Sequence, residues 1–112
     1  MTDTVDIKSN VKPAADRAEV IERLHTHEGE LRDLLVTSLY LFGSAARDEI
    51  MAESDVDVFI DFDRALPFSL IDQIRIQRRI GYLLGRFADM TTRGGLHPEL
   101  RSEIEASSLQ VF

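Results

Sequence analysis

Ser54-Asp55-Val56-Asp57-Val58-Phe59-Ile60-Asp61-Phe62-Asp63 is the stretch on which the fold turns. Val56, Val58, Ile60 and Phe62 alternate with Asp55, Asp57, Phe59, Asp61 and Asp63. A period of two is the period of a strand, so the segment predicts one with an apolar face and an acidic face. Upstream, Ser38 to Phe42 is short, apolar and aromatic and runs into Gly43-Ser44, as a buried strand ending in a tight turn does. Ala45 to Glu49 predicts a short helix after that turn. Further back, starting near Pro13, Val20, Ile21, Leu24, Leu31, Leu34 and Leu35 recur at helical spacing, with Asp16 and Glu19 early, where the helix dipole favours acids. One amphipathic helix, weakened at Gly29, is expected there.

Downstream, Pro67 is expected in the first turn of a helix carrying Leu70, Ile71, Ile74, Ile80, Leu83 and Leu84, stopped by Gly85. A third strand is expected over Phe87 to Thr91 and a turn at Gly94-Gly95. Pro98 is expected to open a last helix running to about Ala106, before a short extended end over Leu109 to Phe112. Helices alternating with strands indicate an α/β domain with a small sheet. The expected organisation is a flexible polar arm over residues 1–12 and a single domain over 13–112.

Composition narrows the function. The net charge of −7 repels a phosphate backbone, which argues against non-specific nucleic-acid binding. It does not exclude a nucleotide, because carboxylates can hold divalent cations that neutralise a triphosphate locally. With no cysteine, neither a thiol nucleophile nor a zinc-thiolate cluster is available. No apolar run approaches membrane-spanning length and no leader-like segment opens the chain, so a cytoplasmic location away from membranes is expected.

Two features carry chemistry. Asp55 and Asp57 lie two residues apart on one strand, so both project from the same face with α-carbons about 6–7 Å apart. Like charges that close raise each other's pKa unless a cation compensates, and an all-oxygen donor set suits Mg²⁺ or Mn²⁺. Taken alone, the pair reads more readily as part of a solvent-facing acidic stripe at a sheet edge, since Asp61 and Asp63 share that face as surface acids. Gly43-Ser44, at a strand-to-helix turn, offers close backbone approach, free N–H groups and a hydroxyl to the phosphates of a nucleotide. Alone it is simply a turn glycine with an N-cap serine. Gly-Ser, ten residues, then Asp-x-Asp is a combination expected by chance in roughly one in a thousand chains of this size.

The segments Leu41-Phe42-Gly43-Ser44-Ala45-Ala46-Arg47 and Ser54-Asp55-Val56-Asp57-Val58 resemble the signature of the DNA polymerase β-like nucleotidyltransferases. More narrowly, they are similar to the minimal nucleotidyltransferases that act as antitoxins beside HEPN-domain toxins. The resemblance extends through Phe62-Asp63, Leu84-Gly85-Arg86, Ala88-Asp89-Met90 and Leu96-His97-Pro98-Glu99-Leu100, covering about Leu31 to Phe112.

That resemblance implies the polymerase β-like fold, with a small mixed sheet packed against helices, and a third metal-site carboxylate at Asp89. It makes Asp55, Asp57 and Asp89 the catalytic and metal-holding set for two Mg²⁺ ions, with Gly43, Ser44 and Arg47 binding the nucleotide. Arg47 would contact phosphate or brace the turn. Asp61, about 13 Å along the strand from Asp57, is too distant to join the set. The implied reaction transfers AMP from ATP to a hydroxyl, expected to be a tyrosine's, on a cognate HEPN ribonuclease toxin that docks in trans as a hetero-oligomer. The alternatives are a non-catalytic antitoxin that neutralises by binding alone and an enzyme acting on a small molecule. One departure bears on the turn: Asp48 stands where the family usually has glycine. Arg75, Arg78, Arg79, Arg86 and Arg93 could meet the triphosphate or a protein partner, with a solvated helix face as the alternative for Arg75, Arg78 and Arg79.

Overall fold

The structure is a computed structural model that describes residues 11–112; the expected arm over residues 1–12 lies outside the described residues except for its last two positions. Those two are packed. The carbonyls of Val11 and Lys12 face Gly85 so closely that a Cβ there would come within 2.8 Å of Val11 O. Lys12 O also accepts from Arg23 Nη1 at 2.6 Å.

Helix α1 spans Arg17–Thr26, and α2 spans Glu28–Asp33. Asp16 caps α1 by accepting from Glu19 N at 2.9 Å. The chain therefore breaks the expected single helix at His27, whose ring Nδ1 lies 2.8 Å from Arg23 O, and Gly29 sits inside α2. After α2, Leu35 turns the chain into strand β1 at a positive φ of 83°.

Strand β1 is Val36–Phe42, two residues longer than expected, and is followed by helix α3, Gly43–Ala46, which starts on the glycine itself. Strand β2 is Val56–Phe62. Helix α4, Leu70–Leu84, is entered through Ser69, whose side chain accepts from Asp72 N while Asp72 accepts from Ser69 N in a reciprocal cap. Pro67 lies ahead of the helix, a correction that follows from Ser69 and Asp72 supplying the paired cap. Gly85 ends α4 in the left-handed region, φ 64°, as a C-terminal glycine does.

Strand β3 is Ala88–Thr92, followed by a 3₁₀ turn at Arg93–Gly95. The last helix, α5, is Arg101–Ser107 rather than a helix opened by Pro98; His97 O accepts from Leu100 N at 2.9 Å in the turn before it. The extended end is strand β4, Leu109–Gln110.

The sheet order is β3-β2-β1-β4, with β2 antiparallel to β1, β3 parallel to β2 and β4 antiparallel to β1. One face is the core: Leu39, Leu41, Val56, Val58, Ile60, Ala88 and Met90 pack with Val20, Leu24, Leu31, Ile76, Ile80 and Leu84 from the helices.

The opposite face departs from the acidic stripe expected of β2. Phe59, in the middle of that stripe, is fully buried, stacked on Tyr40 of β1 at 4.7 Å between centroids and in contact with Phe42 at 5.9 Å. Arg93 covers both rings, with its guanidinium carbon 4.8 Å from the Tyr40 centroid and 5.1 Å from that of Phe59. It also donates to both oxygens of Asp61, at 2.8 and 2.9 Å, and to Glu105 of α5 at 2.8 Å. Asp61 is thus a half-buried ion-pair partner, not a surface acid, because the sheet face on which it stands is roofed at that end. Asp63 stays at the surface and caps a turn through Ala65 N.

Candidate active site

The two halves of the sequence motif meet in space because β1 and β2 are antiparallel neighbours. Phe42, the last residue of β1, is the register partner of Asp57. Gly43, next along, adopts φ +65°, and a Cβ built on it would lie 2.5 Å from Asp57 Oδ2. The Asp57 carboxylate therefore rests against the backbone of the Gly-Ser turn. Glycine is required twice over, for the left-handed backbone and for the missing side chain. Ser44 follows in the first turn of α3, partly buried, and its carbonyl accepts from Glu49 N at 2.8 Å.

Strand β3 brings the third carboxylate. Asp89 is the parallel register partner of Asp57, which places their α-carbons about 4.8 Å apart on the same face. Nothing local in the sequence makes them neighbours; the parallel pairing of β2 with β3 does. Asp55 stands two positions before Asp57, just ahead of the first ladder bond of β2, in which Val56 N donates to Phe87 O at 3.0 Å. Asp55 and Asp89 are exposed and Asp57 is half-buried.

Electrostatics tie the three together. Burial pushes the Asp57 carboxyl above its ordinary value, and the charges of Asp89 and then Asp55 push it further, while Arg47 pulls it back. Arg47 is exposed and pairs with Glu49 at 2.8 Å, so it borders the carboxylates without being buried among them.

Among the described residues no three acidic or histidine side chains are gathered tightly enough to form a ready-made metal cluster. What the backbone provides is convergence: two carboxylates side by side, a third on the same strand face, and a glycine cradle that a Cβ would fill. This all-oxygen donor set fits a hard divalent cation.

Asp48 resolves the departure at the usual glycine position. It adopts φ 59°, the conformation a glycine would supply, and its carboxylate turns away to accept from Arg17 N at 3.0 Å, at the start of α1. Aspartate tolerates this region better than most residues. Arg17 completes the brace by donating from Nη1 to Ala46 O at 2.9 Å.

The five uncertain arginines divide. Arg93 is committed to Asp61 and Glu105, and Arg79 pairs with Glu30 and lies over Tyr82. Arg75 and Arg78 are exposed on α4. Arg86 is buried and donates only to backbone carbonyls, a structural part that sequence reading missed. A signal for it existed, since one basic residue stands inside the apolar run from Leu83 to Met90.

Comparison with known proteins gives the family and the fold. A family model for the nucleotidyltransferase domain matches residues 24–110. A Methanocaldococcus jannaschii protein named "Putative protein adenylyltransferase MJ1217" is 32% identical over 96 residues, covering 84% of this chain and 96% of that protein. "Protein adenylyltransferase MntA" of Thermococcus cleftensis is 34% identical over 79 residues, covering 70% of this chain and 78% of the other. A crystal structure of a toxin-antitoxin complex with AMP-PNP superposes with a TM-score of 0.65 at 19% identity, over 79% of this chain and 72% of that one, a likeness of fold. With its glycine turn against Asp57 and Asp89 alongside, this chain belongs to the nucleotidyltransferase domain family and is a nucleotidyltransferase of the polymerase β-like fold.

Proposed function

We propose that this chain is an antitoxin that transfers AMP from ATP to a hydroxyl of a cognate HEPN-domain toxin, most simply a tyrosine, with Asp55, Asp57 and Asp89 as the catalytic carboxylates. The observation that carries the reading is the seating of Asp57 against Gly43 with Asp89 as its lateral neighbour. The protein adenylyltransferases of Methanocaldococcus and Thermococcus support transfer to a protein, and the toxin-antitoxin complex that shares the fold supports the choice of acceptor.

In the proposed reaction the acceptor hydroxyl oxygen attacks the α-phosphorus of ATP. A new P–O bond forms, the bond to the β-phosphate oxygen breaks, and pyrophosphate leaves with the electron pair. Asp89, exposed beside Asp57, takes the hydroxyl proton. Ser44 and the amides that open α3 bind the β- and γ-phosphates, and Arg47 adds positive charge at their edge. Two Mg²⁺ ions, or Mn²⁺ in their place, held by Asp55, Asp57 and Asp89, would supply charge neutralisation of the α-phosphate and the leaving group, and activation of the acceptor.

The test is incubation of the purified chain with α-labelled ATP, Mg²⁺ and the HEPN-type protein encoded beside it. Label should move to that protein, and Asp55→Asn with Asp57→Asn should abolish both transfer and neutralisation of the toxin. Neutralisation that survives the double substitution would replace this reading with inhibition by binding alone.

A further inference from the structure

We infer that Arg86 is a positioning residue for the active site, holding in place the turn that presents Asp55. The inference rests on the nucleotidyltransferase reading above, because it concerns one of the three carboxylates.

Asp57 and Asp89 lie within the ladder of paired strands, whereas Asp55 precedes it. Its position therefore depends on the turn over residues 51–54. Met51, Ala52 and Glu53 of that turn are exposed. Its internal bonds, Ser54 N to Met51 O at 3.0 Å and Met51 N to Ser54 Oγ at 2.9 Å, close the turn on itself without tying it to the domain.

Arg86 makes that tie. Its side chain is inside the protein, 8% exposed, just after α4 and three residues before Asp89. Nη1 donates to Met51 O and Ser54 O, both at 2.8 Å, with Ala52 O at 3.4 Å, while Nε donates to Ala14 O at 2.7 Å. Ser54 O belongs to the peptide bond that leads into Asp55. The planar fork thus bridges the segment before α1 and the turn that carries Asp55. A lysine ammonium, a single compact point of charge, does not reproduce a rigid fork that reaches both. The orientation of the carbonyls is itself set by the guanidinium, since a buried charge must be met by acceptors on its donors.

If Arg86 positions Asp55, weakening the fork should act on metal-dependent nucleotide binding beyond its effect on stability. The experiment compares the full-length wild type with Arg86→Lys, Ser54→Ala and Ile80→Val. Ser54→Ala loosens the same turn from within, and Ile80→Val lowers stability in the core away from it. Three quantities are read: amide exchange over residues 51–56, the Mg²⁺ concentration needed to bind a non-hydrolysable ATP analogue, and the melting temperature.

Exchange in the turn should accelerate in both turn variants. The Mg²⁺ midpoint should rise about 10- to 100-fold in Arg86→Lys, as when a group that orients metal ligands is lost, and less in Ser54→Ala. Transfer to the protein acceptor should lose kcat with little change in KM for the acceptor.

The inference is overturned if folded Arg86→Lys shows wild-type exchange and a wild-type midpoint. It is also overturned if Ile80→Val, matched in melting temperature, shifts the midpoint equally. Should Arg86→Lys not fold, an unchanged midpoint in Ser54→Ala overturns it. Failure of the wild type to bind Mg²⁺-nucleotide at all would sink the functional reading instead, leaving the exchange data to decide whether Arg86 clamps the turn.

Discussion

Replacing Gly43 with alanine tests the central contact of the site. The residue sits at φ +65°, and its new Cβ would lie 2.5 Å from Asp57 Oδ2. The left-handed backbone costs an L-residue about 1–2 kcal/mol. Relieving the contact requires Asp57 to leave its rotamer or the β1–α3 turn to shift, at about 1–2 kcal/mol. Gly43→Ala should therefore lose roughly 2–4 kcal/mol, a fall of about 10–25 °C in melting temperature for a domain of this size. The contact share is separable by a double-mutant cycle, because in an Asp57→Ala background the carboxylate is gone and only the backbone cost remains. Calorimetry or urea denaturation of the four proteins should give a coupling of about 1–2 kcal/mol. Additive behaviour within about 0.5 kcal/mol would refute the claim that the Asp57 carboxylate rests on the glycine turn, and a neutral Gly43→Ala would refute the backbone argument as well.

Other consequences follow from the charges and the caps. In chelator, Asp57→Asn should raise the melting temperature at pH 7. The folded state holds the Asp57 carboxyl above its ordinary value of 3.8, by burial first and by Asp89 and Asp55 next. Its stability is thus full below that value and is lost as pH rises through the raised one, so the Asn advantage should shrink as pH falls toward 4. A pH-independent difference would refute this. Arg93→Leu should lower stability by roughly 1–3 kcal/mol in urea denaturation, between the values for exposed and buried pairs. It strips Asp61 and Glu105 of their partner and uncovers Tyr40 and Phe59. Asp48→Gly should fold with stability near wild type, since glycine restores the favoured backbone while forfeiting the bond to Arg17 N. Asp48→Ala should be less stable than Asp48→Gly by about 1 kcal/mol, and equal stability of the two would show that the positive φ carries no cost.

Part of the candidate site is legible because it is written in short spacings. Asp55 and Asp57 share a face by the period of the strand, and Gly43-Ser44 lies where a strand gives way to a helix. Helix α4 declared itself through its apolar positions and Gly85, although its true start at Ser69 is set by a reciprocal cap with Asp72 that the nearby Pro67 obscured. The helix expected to run on through a weak point at Gly29 instead ends at His27, because a glycine is a visible weakness whereas a histidine at a helix end gives no composition signal.

Periods of two and of about 3.6 residues thus lay out most of the elements and put Asp55 and Asp57 on one face, whereas Asp89 enters the candidate set only through the family resemblance. The tertiary structure alone decided which residues became neighbours. It paired β3 with β2 so that Asp89 stands beside Asp57, laid β4 against β1, brought Arg93 to Asp61 across 32 positions, and aimed Arg86 at a turn 32 to 35 residues earlier. Such contacts depend on the packing of the whole core and leave no local period to read. The glycine turn and Asp57 belong to both accounts: their spacing is local, but the contact between them exists only because β1 and β2 pair antiparallel with Phe42 opposite Asp57.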